Sequence, residues 1–127
     1  MQVKWITREI ALAAHARSLL DHGGAEGVRD NGMLESALAR PQNLAAYGEP
    51  TLFELAAALE YGLVKNHPFV DGNKRTAFLC VYAFLGINGI ELDADEAEAA
   101  AITLDLAAGV ASEAEFALWL EANSRAR

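Results

Sequence analysis

Nine consecutive residues, His67-Pro68-Phe69-Val70-Asp71-Gly72-Asn73-Lys74-Arg75, bring together a base, an acid, a glycine and two cations. They lie between two strongly helical stretches and read as a loop that opens a helix. A helix start presents free backbone N–H groups and the positive end of the dipole, which suits an anion. His67 is the proton acceptor of the set, able to take a proton from an attacking hydroxyl. Asp71 is a hard carboxylate for Mg²⁺, a helix N-cap, or both. Gly72 permits unusual backbone angles and close approach of a phosphate to the main chain. Asn73 orients the loop, bonds phosphate oxygens or caps the helix. Lys74 and Arg75 supply charge and, from Arg75, a rigid fork of donors. Cations are disfavoured in the first turn of a helix, so two there imply a compensating anion. Phosphate-binding groups beside a histidine point to transfer of a phosphorus-containing group to a hydroxyl.

Six helical segments must position this loop. Thr7 caps a first helix to about His22, its apolar side expected from Ile10, Leu12, Ala13, Ala16, Leu19 and Leu20, with Gly23-Gly24 as the stop. Asp30-Asn31-Gly32 starts a short helix from about Met33 to Ala39, which Pro41 is expected to end. Residues Pro41 to Pro50 then read as an exposed loop or flap. Thr51 with Glu54 forms a capping-box spacing, followed by the stripe Leu52, Leu55, Ala56, Leu59 and Leu63. The helix from Asn73 to about Ile87 is apolar nearly all round and is expected at the centre, with Phe69 anchoring the loop beside it. Asn88-Gly89 stops it. Asp93 or Asp95 opens an Ala-rich helix to about Ala108, and Ser112 with Glu115 opens the last, carrying Phe116, Trp119 and Leu120. Val3-Lys4-Trp5 reads as a short extended piece. The order gives an all-α single domain over residues 1–127.

Composition narrows the partners. The 127 residues carry a net charge of −8, with nine acids and no Lys or Arg between Glu91 and Glu121. Nothing supplies a basic stripe for nucleic acid. Lys65, Lys74 and Arg75 form the one basic cluster, and a positive pocket in an acidic body suits a small anion. The acidic half reads as a solvated face. No run of about 18 apolar residues exists, so no membrane span is expected. Met1-Gln2-Val3-Lys4-Trp5 lacks the layout of a signal peptide, and Cys80 is the single cysteine, read as a small core residue. These features favour the cytoplasm. His15 and His22 show no metal spacing, and no Walker-type run or G-x-G-x-x-G is present.

The stretch His67 to Arg75, continued by Thr76-Ala77, closely resembles the active-site motif of the Fic/Doc superfamily. Val28 to Gln42, Phe84 to Gly89, Ala108-Gly109 and Trp119-Leu120 resemble its death-on-curing (Doc) branch. The resemblance implies a Fic/Doc helical bundle with the active-site loop before a central helix, and a toxin held in check by a small antitoxin. It implies ATP and Mg²⁺ as requirements, His67 as base and Asp71 as the Mg²⁺ ligand. Gly72 and Asn73 would form the phosphate-facing loop, and Lys74 and Arg75 would bind phosphates. Residues from about Arg40 to Glu49 would act as a flap for the target. Fic proteins usually transfer AMP, and their pattern has Gly at the place of Lys74 and a second Arg at that of Phe78. Doc toxins carry Asn-Lys-Arg, as here, and phosphorylate a threonine of elongation factor Tu. A long cation in place of Gly fills the room of the α and β phosphates, which turns the γ-phosphate toward the target. The best-known Doc pattern has Ala where this chain has Gly72, so AMP transfer stands as the alternative. A non-catalytic, partner-binding member is a third reading, opposed by the intact His67, Asp71 and Arg75. No Ser or Thr here has Glu four residues on, so the self-inhibitory helix of many Fic proteins is missing and a Phd-like antitoxin is expected to act in trans.

Overall fold

Cap residues set most helix boundaries in the computed structural model, which describes residues 2–127. The helices are α1 (Arg8–His22), α2 (Asn31–Ala46), α3 (Leu52–Asn66), α4 (Asn73–Ile87), α5 (Glu96–Ala108) and α6 (Glu113–Ala122). Thr7, Asp30, Thr51, Asp95 and Ser112 each accept a hydrogen bond from the backbone N–H three residues on, and Thr51 and Ser112 complete full capping boxes. Two three-residue strands, β1 (Ile90–Leu92) and β2 (Ser124–Ala126), pair antiparallel with Glu91 opposite Arg125.

The bundle is all-α apart from this ribbon. α3 is its most buried helix, with Leu55 to Glu60 and Gly62 to Val64 all inside. It packs on α2, α4, α5 and α6. α4 shares the centre through Ala77, Cys80, Val81, Phe84 and Leu85, but Tyr82 reaches solvent. The motif loop therefore spans the two helices with the strongest hold on the core. No helix among the described residues is long and apolar enough to cross a membrane.

Two expectations fail. α2 does not stop at Pro41; it runs through to Ala46 with Pro41 buried inside it. Proline removes one helical bond at a cost of about 3 kcal/mol. Contacts at the same turn hold the helix against that loss: Arg40 donates to Ala58 O at 2.8 Å and to Glu113 Oε1 at 2.8 Å, and its guanidinium lies 4.8 Å from the Tyr61 ring centre. Only Tyr47 to Pro50 remains of the supposed flap. α1 is rotated from the expected face: Ala11, His15 and Ser18 are buried and Ile10 and Leu12 pack against the core, while Ala13, Ala16 and Leu20 are exposed, Leu20 by 81%. Val3-Lys4-Trp5 lies outside the helices and the sheet, and the Asn88 side chain brackets Lys4, accepting from its N–H and donating to its carbonyl, both at 2.9 Å.

Acidic residues of the C-terminal half are mostly exposed, as expected. Some are tied: Arg125 pairs with Glu91 at 2.8 Å and Asp93 at 3.0 Å, and the Trp119 indole donates to Glu98 at 2.8 Å.

Candidate active site

α4 differs from its five neighbours at its N-terminus. Its cap is Gly72, at φ 74° and ψ 21°, and no side chain caps it. Gly72 takes this left-handed conformation without the Cβ penalty that another residue would carry. Thr76 N donates to Gly72 O at 3.0 Å. The amides of Asn73, Lys74 and Arg75 precede that first helical bond and so have no helical acceptor. The first turn contains no acid, and neither Lys74 nor Arg75 pairs with a carboxylate among the described residues. Orphan amides, the positive dipole end and two unpaired cations converge there. His67, Val70, Asp71, Gly72, Asn73, Lys74 and Arg75 line one open cavity of about 290 Å³.

His67 ends α3 in the left-handed region, at φ 47° and ψ 56°, the one non-glycine with positive φ among the described residues. Proline after it disfavours helix, but the residue is left-handed rather than extended. Such a conformation costs on the order of 1–3 kcal/mol and must be held from outside. Arg29 holds it, donating from Nε to His67 O at 2.7 Å and from its terminal nitrogen to Asn66 O at 2.8 Å. Arg29 thus caps the carbonyl end of α3. The exposed His67 ring is left to face the cavity.

Asp71 is not the N-cap. Its Oδ1 accepts from Gly72 N at 2.8 Å and its Oδ2 lies 3.4 Å from Ala25 N. Gly24 packs so close that a Cβ there would stand 2.9 Å from Oδ2, at a φ of 120°. Asn73 does orient the loop: its amide accepts from Phe69 N at 2.9 Å and donates to Phe69 O at 3.0 Å, both buried. That side chain is committed to the loop, which leaves its backbone N–H for a ligand. Phe69 is buried, as expected.

No group of three or more His, Cys, Asp or Glu among the described residues converges to hold a metal. Asp71 offers one exposed hard oxygen donor at the cavity. That fits Mg²⁺, which is commonly held by one or two carboxylates together with substrate phosphates and water.

Lys65 does not join the basic cluster. Its Nζ donates to Ala107 O at 2.9 Å, at the end of α5, and lies over the Tyr61 ring. The Arg40–Glu49 segment does not border the loop either. α2 starts against it, with Asp30 N donating to Pro68 O at 3.1 Å, and runs away for 16 residues, about 24 Å. The segment that does lie along the loop is Gly24 to Asp30. Val28 bridges to Phe69, Arg29 N donates to Pro68 O at 2.7 Å, and Val70 N donates to Gly27 O at 3.0 Å.

The Fic/DOC family model matches residues 5–85, which include this whole site. The chain belongs to the Fic/DOC family. It is 45% identical over 95 residues to the protein named Toxin Doc of Mycolicibacterium smegmatis (strain ATCC 700084 / mc(2)155), covering 72% of this chain and 70% of that one. It is 35% identical over 108 residues to Protein kinase doc of Escherichia phage P1, covering 84% and 85%. The Fic/DOC motif accounts for the cavity wall but not for what holds it. Arg29, His15 and Ser18 lie outside the motif. Ser18 Oγ lies 3.4 Å from Arg75 Nε, and His15 reaches the Asp71 carbonyl. The sequence signal for His15 and Ser18 is their spacing of three, which puts both on one face of α1 with Ala11.

Proposed function

We propose that this chain is a Doc-type toxin that transfers the γ-phosphoryl group of ATP to a protein hydroxyl, with a threonine of elongation factor Tu as its target. The observation that carries this reading is the uncapped, cation-bearing start of α4 opening on the same cavity as His67. The names of the two relatives support it. ATP, with Mg²⁺ that Asp71 would hold, supplies the phosphoryl group and leaves as ADP. His67 takes the proton of the attacking hydroxyl, its backbone held by Arg29. Lys74, Arg75 and the first-turn amides of α4 hold phosphate oxygens and offset charge as it spreads over them. Phe78, where AMP-transferring members carry a second Arg, packs against the core and offers no further cation. Gly72 remains the feature in favour of AMP transfer. A translation factor as target places the action in the cytoplasm. With no self-inhibitory Ser/Thr-x-x-x-Glu spacing in the sequence, a small Phd-like antitoxin restrains the enzyme in trans.

Incubating a lysate with γ-labelled or α-labelled ATP tests the reaction class. Protein labelling from the γ-label alone, lost in His67→Ala, is expected. Labelling from the α-label would establish AMP transfer instead, and labelling that survives His67→Ala would overturn the role of the histidine.

A further inference from the structure

α1 leaves Ala16 and Leu20 exposed, yet it buries His15 and Ser18. Burying polar groups is unfavourable unless they are bonded, so what they touch decides why that face turns inward. The His15 ring stacks on Phe69, centroid to centroid at 4.1 Å and 11° between planes. Its Nε2 lies 2.8 Å from Asp71 O. A carbonyl only accepts, so Nε2 carries the proton.

That carbonyl belongs to the Asp71–Gly72 peptide. In a trans peptide the C=O and N–H point in opposite directions within one plane. A donor fixed on Asp71 O therefore fixes where Gly72 N–H points, and Gly72 N–H donates to Asp71 Oδ1 at 2.8 Å. We propose that His15 is a positioning residue: by holding the Asp71 carbonyl it sets the Asp71–Gly72 peptide plane, whose N–H in turn aims the Asp71 carboxylate at the cavity. The consequence for phosphoryl transfer rests on the proposed function. The effect on the loop does not.

Two variants separate the hydrogen bond from the packing. His15→Phe keeps the aromatic stack on Phe69 and loses the donor. His15→Gln loses the stack and keeps an amide N–H near the place of Nε2. Amide hydrogen exchange read at Gly72 needs no substrate. The expected result is exchange about tenfold faster in His15→Phe than in the wild type, the loss of one part-buried hydrogen bond, with His15→Gln close to the wild type. In the transfer assay His15→Phe should raise the Mg²⁺ concentration for half-maximal rate, and His15→Gln should restore it. His15→Asn, whose amide is too short for the carbonyl, covers the case in which the phenylalanine variant does not fold, and should exchange fast. Wild-type exchange in His15→Phe, or exchange in His15→Gln as fast as in the donor-less variants, would overturn the proposal. A wild-type protein that transfers nothing would refute the proposed function while the exchange comparison still decides the role of His15.

Discussion

Glu60 and His67 stand seven residues apart, about two turns along and just past α3, and burial gives them opposite fates. Glu60 is fully buried. One oxygen accepts from the Thr103 hydroxyl at 3.0 Å and the other has no partner. Burial pushes its carboxyl up to about 8, against the smaller lowering by Thr103, so it is protonated at neutral pH. Cys80, on facing α4, is pushed up to about 12 by burial and then by the charge of Glu60, which makes it an inert core thiol. His67 is exposed at the cavity, with its backbone secured by Arg29. In the proposed reaction the titratable group that serves as base is the exposed one, its backbone held by another residue. Where the core closes round it, the same kind of group becomes a load on stability.

The largest expected effect breaks the His67 side of this contrast. His67→Ala should lower transfer about 10²- to 10⁴-fold, the usual loss for a general base, with an unchanged melting temperature. A fall in melting temperature matching the fall in rate would make His67 structural. Lys74→Gly comes next. It should reduce γ-phosphoryl transfer about tenfold and allow label to enter from α-labelled ATP, because it reopens room for the α and β phosphates at the start of α4. Unchanged products would refute that role for Lys74.

Glu60→Gln sharpens the other side. In the folded protein Glu60 holds its proton up to about pH 8, whereas the unfolded chain releases it near the ordinary carboxyl value of 4.5. The folded state then binds more protons, so this group's contribution is full below about pH 4.5, declines as pH rises and levels off above about 8. Thermal unfolding of the wild type between pH 5 and 8 should show that decline, on the order of a few kcal/mol, and Glu60→Gln should flatten it without altering transfer at neutral pH. The smallest effect belongs to Ser18→Ala, which removes a long 3.4 Å contact to Arg75 and should reduce transfer about two- to fivefold in steady-state kinetics.

The caps and the motif were legible in the sequence because both are local. Thr7, Asp30, Thr51, Asp95 and Ser112 signal helix starts through their own side chains, and the spacing from His67 to Arg75 places the cavity-lining residues on one loop. What could not be read was long-range. Pro41 obeys its local rule only until Arg40 meets Ala58, Glu113 and Tyr61. The inward face of α1 is chosen by Phe69 and Asp71, which lie more than fifty residues away. Apolar periodicity selected the leucine side instead. Glu60 carries no local sign of burial in the sequence; the packing of α4 and α5 on α3 encloses it.

Intact mass of purified elongation factor Tu after incubation with this protein, ATP and Mg²⁺, beside a His67→Ala control, tests the central claim most directly. The account predicts a gain of one phosphate that the control lacks. A gain of one AMP, or no gain at all, would contradict it.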